Sequence, residues 1–482
     1  MKFIFFYCIL FCSTSLLAHE INIDGSFSHH KIRLSEIYIY EDSTNLYNPT
    51  HWNELIEDIY LYKPYDKNIR LSRSTWWGKI AINNATNNQL KLYLYTDYTP
   101  LEYVKLYQQN FNNHLIEDSV GCKISFSQRK VSTNLLVFEV FCNPGLNYLF
   151  LKVKSPYVKF PFILGTQEEL IRTQQNQTMY YSWVVGIIFV IALATLVAFF
   201  YFRNDYFYLK YFVYLCMLLM LIITYVGYAF QFFWPESEIW NSKSYMIFSL
   251  LMASFHLLFA IDLLKLERYS LLLKNMMAWL SFAFMIIACL VVFLDTTTSL
   301  WITLPVMFAM LPVTVIIIYY PIKEKSSIAY SYASGFAVFL LPTSLTVFKD
   351  TGVLFFNDGI NVHIFTGMVI EIIFFTIALG FRIKDKLEKI SINNRESCDN
   401  NVCKNEYVVL DILTKKENEI FNYAGQLLND VEIAEKAGTT THTVRYHLKN
   451  IYAKLELKNR IMLIQKYEEV KKMQRGESKM EV

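Results

Sequence analysis

Between residues 179 and 381 this chain holds seven apolar runs, at 179–202, 208–231, 245–264, 272–294, 299–320, 328–348 and 361–381. Each is close to the roughly 20 residues that an α-helix needs to cross the hydrocarbon core of a bilayer. Lipid offers the backbone no hydrogen bonds, so such runs are read as membrane-spanning helices, and the bilayer itself as the first partner. The composition agrees: 54% of residues are apolar and only 18% charged, against about 25% charged in a soluble domain.

Seven spans put the two flanking regions on opposite sides. Alternate loops carry Arg203 and Lys210, then Lys265, Arg268 and Lys274, then Lys323 and Lys325, then Arg382, Lys384 and Lys386. The loops between them carry only Lys243 and Lys349. Basic residues concentrate on the cytoplasmic side of a membrane, so the C-terminal region is expected inside and the N-terminal region outside. The first eighteen residues support this. Lys2, the apolar stretch Phe3 to Phe11 and the small residues from Ser13 to Ala18 read as a secretory signal.

Residues 19–175 contain no run long enough to span. They alternate instead, as in Leu90-Lys-Leu-Tyr-Leu-Tyr95 and Val137-Phe-Glu-Val-Phe141, with turn signals at Gly121 and Asn143-Pro-Gly145. Short strands and tight turns predict an all-β sandwich. Cys122 and Cys142 both fall in this oxidising compartment, so a disulfide between them is expected, with two buried thiols as the alternative. No cysteine pair has metal-ligand spacing, and the neighbours His29 and His30 point to opposite faces of a strand; no metal or other cofactor is expected. Trp76 and Trp77 could stack on a sugar, but aromatic residues in strands more commonly fill a core.

Residues 383–412 are polar and read as a linker, 413–472 as a compact helical domain and 473–482 as a polar tail. Thr414 followed by Glu417 is a capping box that starts a helix, after which Ile420 and Ala424 share a face. A second helix, Val431 to Ala437, stops at Gly438, and Thr440 is an N-cap for a third helix from Thr441 to about Leu455. Two short helices joined by a glycine turn form a helix-turn-helix. Val444, Leu448, Ile451 and Leu455 make the inward stripe of the third helix, while Arg445, Lys449 and Lys454 lie on another face. From Thr441 to Arg460 there are five Lys or Arg and one acidic residue. Such a face suits phosphates and the guanine edges of the major groove.

Residues 413–468 resemble the LuxR-type DNA-binding domain. The resemblance runs through Leu413-Thr414, Glu417, Glu419-Ile420, Glu432-Ile433-Ala434, Gly438, Thr443-Val444-Arg445-Tyr446-His447-Leu448, Asn450-Ile451-Tyr452, Lys454-Leu455 and Asn459-Arg460. It implies that Arg445, Tyr446 and Lys449 face bases, that Thr443, Asn450 and Lys454 hold the phosphate backbone, and that a last helix with Ile461 and Ile464 supports packing or dimer contact. Lys416 stands where arginine is common, and Tyr446 is bulkier than the usual residue, which bears on base preference.

Residues 30–385 resemble the seven-transmembrane receptors with diverse intracellular signalling modules. The resemblance rests on Trp76-Trp77-Gly-Lys-Ile-Ala-Ile-Asn83, Leu101-Glu-Tyr-Val-Lys-Leu-Tyr107, Pro161-Phe-Ile-Leu-Gly-Thr166 and Tyr206-Phe-Tyr-Leu-Lys-Tyr211. It implies a jelly-roll-like extracellular domain that binds small molecules, carbohydrates among them. The output module varies in such receptors, and here it is the DNA-binding domain.

The expectation is therefore a one-component transcription regulator of the bacterial inner membrane, with promoter DNA as partner and a homodimer as its DNA-reading form. No receiver-like segment precedes residue 413, so control by conformation rather than by phosphorylation is expected. An alternative is that the helix-turn-helix contacts a protein. A transporter or membrane enzyme would account for Glu371 and His256, ionisable residues near the middle of the seventh and third spans, but no nucleophile, metal or phosphate-loop pattern accompanies them. Ionisable groups at bilayer depth usually face the bundle interior, so Glu371 and His256 are expected to approach each other as a switch. A neutral Glu371 bonded to a backbone carbonyl is the alternative.

Overall fold

In the computed structural model the described residues are 20–33, 36–49, 54–55, 63–64, 72–109, 115–156, 160–202, 205–350, 364–385, 387–388 and 412–474. The expected signal segment 1–18 lies outside them, as do most of the linker and of the polar tail. The chain divides into two compact units, residues 1–382 and 383–482.

The first unit opens with two β-sheets. One runs β4 (Lys63–Pro64), β3 (Ile37–Asp42), β5 (Thr75–Asn84), β10 (Gly145–Lys154), β7 (Tyr103–Gln109) and β8 (Leu115–Val120), with β1 (Ile21–Ile23) parallel to the end of β5. The other runs β2 (His29–Lys31), β11 (Ile163–Gly165), β6 (Leu90–Thr96) and β9 (Leu136–Cys142). Alternate residues, among them Ile80, Ile82, Leu94, Leu106, Phe138 and Leu151, are buried together as one core. Trp76 packs against that core, whereas the next residue, Trp77, points to the opposite face of β5. There it is fully buried against Tyr107 and Phe150, so it fills a core and offers no sugar platform.

The expected disulfide is not formed. Cys122 and Cys142 are free, buried thiols. The register explains why. Cys122 N–H donates to the Leu101 carbonyl at one end of β7, while the Phe141 N–H donates to Gln108 at the other. Seven residues of strand separate those ends by about 23 Å at about 3.3 Å per residue, and a disulfide tolerates Cα atoms no more than about 7 Å apart.

The apolar runs are helices: α1 (Gln167–Tyr201), α2 (Tyr206–Tyr225), the short α3 (Tyr228–Phe232), α4 (Glu238–Leu263), α5 (Leu271–Val291), α6 (Thr296–Lys323), α7 (Ser327–Asp350) and α8 (Ile364–Asp385). Among the described residues six of them, all but α3 and α7, are long and apolar enough to cross a membrane. Helix α1 starts at Gln167, directly after β11, because Thr166 caps it by accepting from the Glu169 N–H. The second run is broken. Gly227 takes a left-handed φ of 91° and ends α2 two residues earlier, so α3 restarts after a kink.

In the second unit α9 (Lys415–Gly425), α10 (Asp430–Lys436), α11 (Thr441–Lys454) and α12 (Arg460–Gln474) close over Ile420, Phe421, Ala424, Ile433, Val444, Leu448, Ile451 and Leu463. The fold is thus multidomain: a β-sheet domain, a helical membrane region and an all-α helix-turn-helix domain.

Candidate functional site

The helix-turn-helix is fixed by its caps. Thr414 and Glu417 form the expected capping box on α9, and Asn429 with Glu432 form a second one on α10. Gly438 adopts a φ of 60°, and the Thr440 hydroxyl accepts from the Thr443 N–H at 3.2 Å to start α11. Each box satisfies backbone donors that a helix start leaves free, which sets where each helix begins. Helix α11 then buries Val444, Leu448 and Ile451, and half-buries Leu455.

The remaining face of α11 carries the expected contact residues. Arg445, Tyr446 and Lys449 are exposed, with Tyr446 at 60%. Thr443 and Asn450 are half-buried at its edges. The Arg445 Nε lies 3.2 Å from Asp430, whose other oxygen holds Arg460 at 2.6 Å. These two arginines keep the Asp430 carboxyl below its ordinary range despite its partial burial. Lys454 stands apart from the other five. Its ammonium is 2.6 Å from the buried Glu417, so it ties α11 to the capping box of α9. Ile461 is 66% exposed on α12, while its neighbours Leu463 and Tyr467 do the packing.

Within the membrane region His256 of α4 and Glu371 of α8 are both buried and line one cavity. No hydrogen bond or ion pair joins them among the described residues. His256 Nε2 instead pairs with the Tyr332 hydroxyl of α7 at 2.8 Å, inside a cage of Tyr214, Phe336 and Phe375. Gly335 lets α7 approach α8 closely, since a Cβ there would lie 2.8 Å from Phe374 and 3.1 Å from the Glu371 carbonyl.

One site escaped the sequence. The β-domain is joined to the helices through side chains that cap the broken end of α2. Thr99 donates to the Tyr225 carbonyl at 2.5 Å and Asn134 to the Val226 carbonyl at 3.1 Å. Asn241, at the start of α4, donates back to the Cys122 carbonyl at 3.1 Å, and Ser125 bonds Glu236. Beside them Arg129 is buried, donating to the carbonyls of Gly121, Thr133 and Leu135 and lying between Phe126 and Phe230, with no carboxylate against it among the described residues. Burial pushes its pKa down to about 10. At the far ends of the helices Lys210 pairs with Asp262 at 2.6 Å, and Arg382 stacks on Phe207 and bonds the Asp262 carbonyl. Lys210 and Arg382 thus lie together at helix ends away from the β-domain.

Comparison with known proteins fits these parts. Residues 177–382 match the family model described as 7TM diverse intracellular signalling, and residues 35–166 match 7TMR-DISM extracellular 2. Residues 411–467 match bacterial regulatory proteins, luxR family. Sensor, membrane and DNA-binding regulatory family models thus match successive stretches of this chain. More narrowly, it carries the extracellular and membrane domains of the seven-transmembrane receptors with diverse intracellular signalling modules, joined to a LuxR-type DNA-binding domain. Over 55 residues it is 38% identical to the probable transcriptional regulatory protein SgaR of Hyphomicrobium methylovorum, a match covering 11% of this chain and 26% of that protein.

Proposed function

We propose that this protein is a one-component regulator of the bacterial inner membrane that binds promoter DNA through α11. Its β-domain faces the periplasm and reads a small extracytoplasmic molecule, and its output is a C-terminal dimer. The observation that carries the reading is the exposed Arg445, Tyr446 and Lys449 face on a rigidly capped helix. Arg445 and Lys449 are four residues apart and reach the same side, where a cation can bond a base edge or a phosphate. Thr443 and Asn450 flank that face as phosphate contacts. Lys454 completes the set by orienting α11 through Glu417, and reaches the backbone only from that fixed position. Two-fold DNA sites call for two copies, and Ile461 offers α12 an apolar surface for the second.

The signal path runs through the caps on α2. A ligand that shifts the loops bearing Thr99 and Asn134 moves the carbonyl ends of α2, and so changes the packing of the helices on their opposite side.

Cross-linking cells and sequencing the DNA recovered with the intact protein tests the output. Discrete sites that disappear in an Arg445→Ala, Lys449→Ala variant are expected. A correctly inserted wild type with no enriched sites under any growth condition would overturn the reading and favour a protein partner.

A further inference from the structure

The helices of the membrane region line an open-sided cavity of about 300 Å³, with described residues of α2, α4, α6, α7 and α8 on its wall. Its wall is almost wholly apolar, with Leu218, Met252, Met307 and Phe339 among its residues. A cavity of this size and character is the ordinary setting for a small ligand, in which a few polar groups fix orientation.

The polar groups on this wall are not equivalent. Ser249 donates to the Met246 carbonyl at 2.8 Å, and Thr343 to the Phe339 carbonyl at 2.8 Å. His256 is engaged by Tyr332. Glu371 is 97% buried, being 3% exposed, and among the described residues no side chain or backbone group bonds its carboxyl. A buried carboxyl without a partner is costly in hydrocarbon, and such groups mark functional sites within membranes. It is retained at the wall of a space large enough to bring a partner in.

We propose that this cavity binds a lipophilic amine. Its hydrocarbon body lies against Leu218, Met252 and Met307, and its nitrogen donates to the Glu371 carboxyl. Glu371 is the acceptor because, among the described lining residues, it alone carries a carboxyl; Ser249, Thr343 and His256 are already engaged, and the Tyr214 hydroxyl is a neutral polar group on the same wall. An amine matches it because the neutral amine can take the proton of the Glu371 carboxyl, and the resulting ammonium–carboxylate hydrogen bond is about twice as strong as a neutral one. The same helices carry the contacts to the β-domain, so this occupant is a second input, reached from the membrane and separate from any molecule the β-domain reads.

The test uses the full chain in nanodiscs of zwitterionic lipid, with 4-phenylbutylamine as probe and 4-phenylbutanol as its neutral counterpart. Saturable binding of the amine is expected, with the alcohol at least tenfold weaker. Glu371→Gln should weaken the amine at least tenfold and leave the alcohol unchanged. Ala253→Phe, which fills the cavity from α4, should abolish both, and near-UV circular dichroism and melting of each variant show that it has folded. No saturable amine binding to the wild type, or binding that is equal in wild type, Glu371→Gln and folded Ala253→Phe, would overturn the proposal. The readout involves no DNA, so it fails or succeeds independently of the promoter-binding reading.

Discussion

Lys454 and Glu417 form a 2.6 Å ion pair that joins the last turn of α11 to the first turn of α9. Glu417 serves two partners at once, since it also accepts from the Thr414 N–H and so closes the capping box. The helix that presents Arg445 and Lys449 is thereby oriented by a carboxylate 37 positions earlier in the chain.

That carboxylate gives the C-terminal unit a defined pH dependence. The Lys454 ammonium, then the Thr414 N–H, hold the Glu417 pKa down at about 2, against an ordinary 4.5. A depressed carboxylate contributes stability that is fully present above the unfolded pKa and lost as pH falls through the folded one. Urea unfolding of residues 383–482 should therefore show wild type losing its advantage over Glu417→Gln between pH 4.5 and about 2. At pH 7 the substitution should cost about 1–2 kcal/mol, the worth of a cap with a charged partner. A difference that does not change with pH would show that the pair contributes nothing.

The two roles assigned to the cations of α11 separate by salt. Removing a phosphate or base contact lowers affinity, and each lost phosphate contact reduces the slope of log affinity against log salt by about 1. Arg445→Ala should cost about 1–3 kcal/mol at a matched site. Lys449→Ala should weaken binding or flatten the salt slope. Lys454→Ala should chiefly lower the melting temperature. Fluorescence anisotropy on a site recovered by cross-linking, from 50 to 200 mM salt, checks all three. Identical effects of the three substitutions would contradict the division.

The parts that were legible in the sequence are those fixed by local periodicity. The stripe Val444, Leu448 and Ile451 is buried as its spacing requires, and the seven runs give the helices of the membrane region. Long-range placement was not legible. Cys122 and Cys142 belong to the same domain, but Cys122 follows β8 of one sheet and Cys142 ends β9 of the other, near opposite ends of β7, a placement that only the strand order reveals. Gly227 lies inside an apolar run like any membrane glycine. Its meaning comes from Asn134, 93 positions away, whose carbonyl leaves no room for a side chain. The same holds for Lys454, whose cationic face suggested DNA while its partner lay on another helix.

The thiols supply a direct chemical check of the β-domain. Burial pushes both Cys122 and Cys142 up to about 12, so little thiolate exists at neutral pH, and the thiolate is the reactive form. In native protein isolated without reductant, maleimide should leave both unmodified over minutes. In denaturant without reductant both should react fully. Protection that persists in denaturant until a reductant is added would reveal a disulfide and contradict the strand register.

Gly227 tests the coupling between the β-domain and the helices. A Cβ there would lie 2.7 Å from the Asn134 carbonyl oxygen and 3.2 Å from the Thr99 side chain, at a φ that L-residues avoid. Gly227→Ala must therefore push away the loop that caps α2, and left-handed strain adds about 1 kcal/mol or more. Asn134→Ala removes one cap without strain and should cost about 1 kcal/mol. If the caps transmit the signal, both variants insert and bind DNA, yet their reporter output is fixed at one level across growth conditions that move the wild type. Gly227→Ala should also melt lower than Asn134→Ala, because it disturbs the Thr99 and Asn134 contacts together. Output that still follows the wild type in both variants would place the coupling elsewhere, with the Asn241 and Ser125 contacts at the start of α4 next in line.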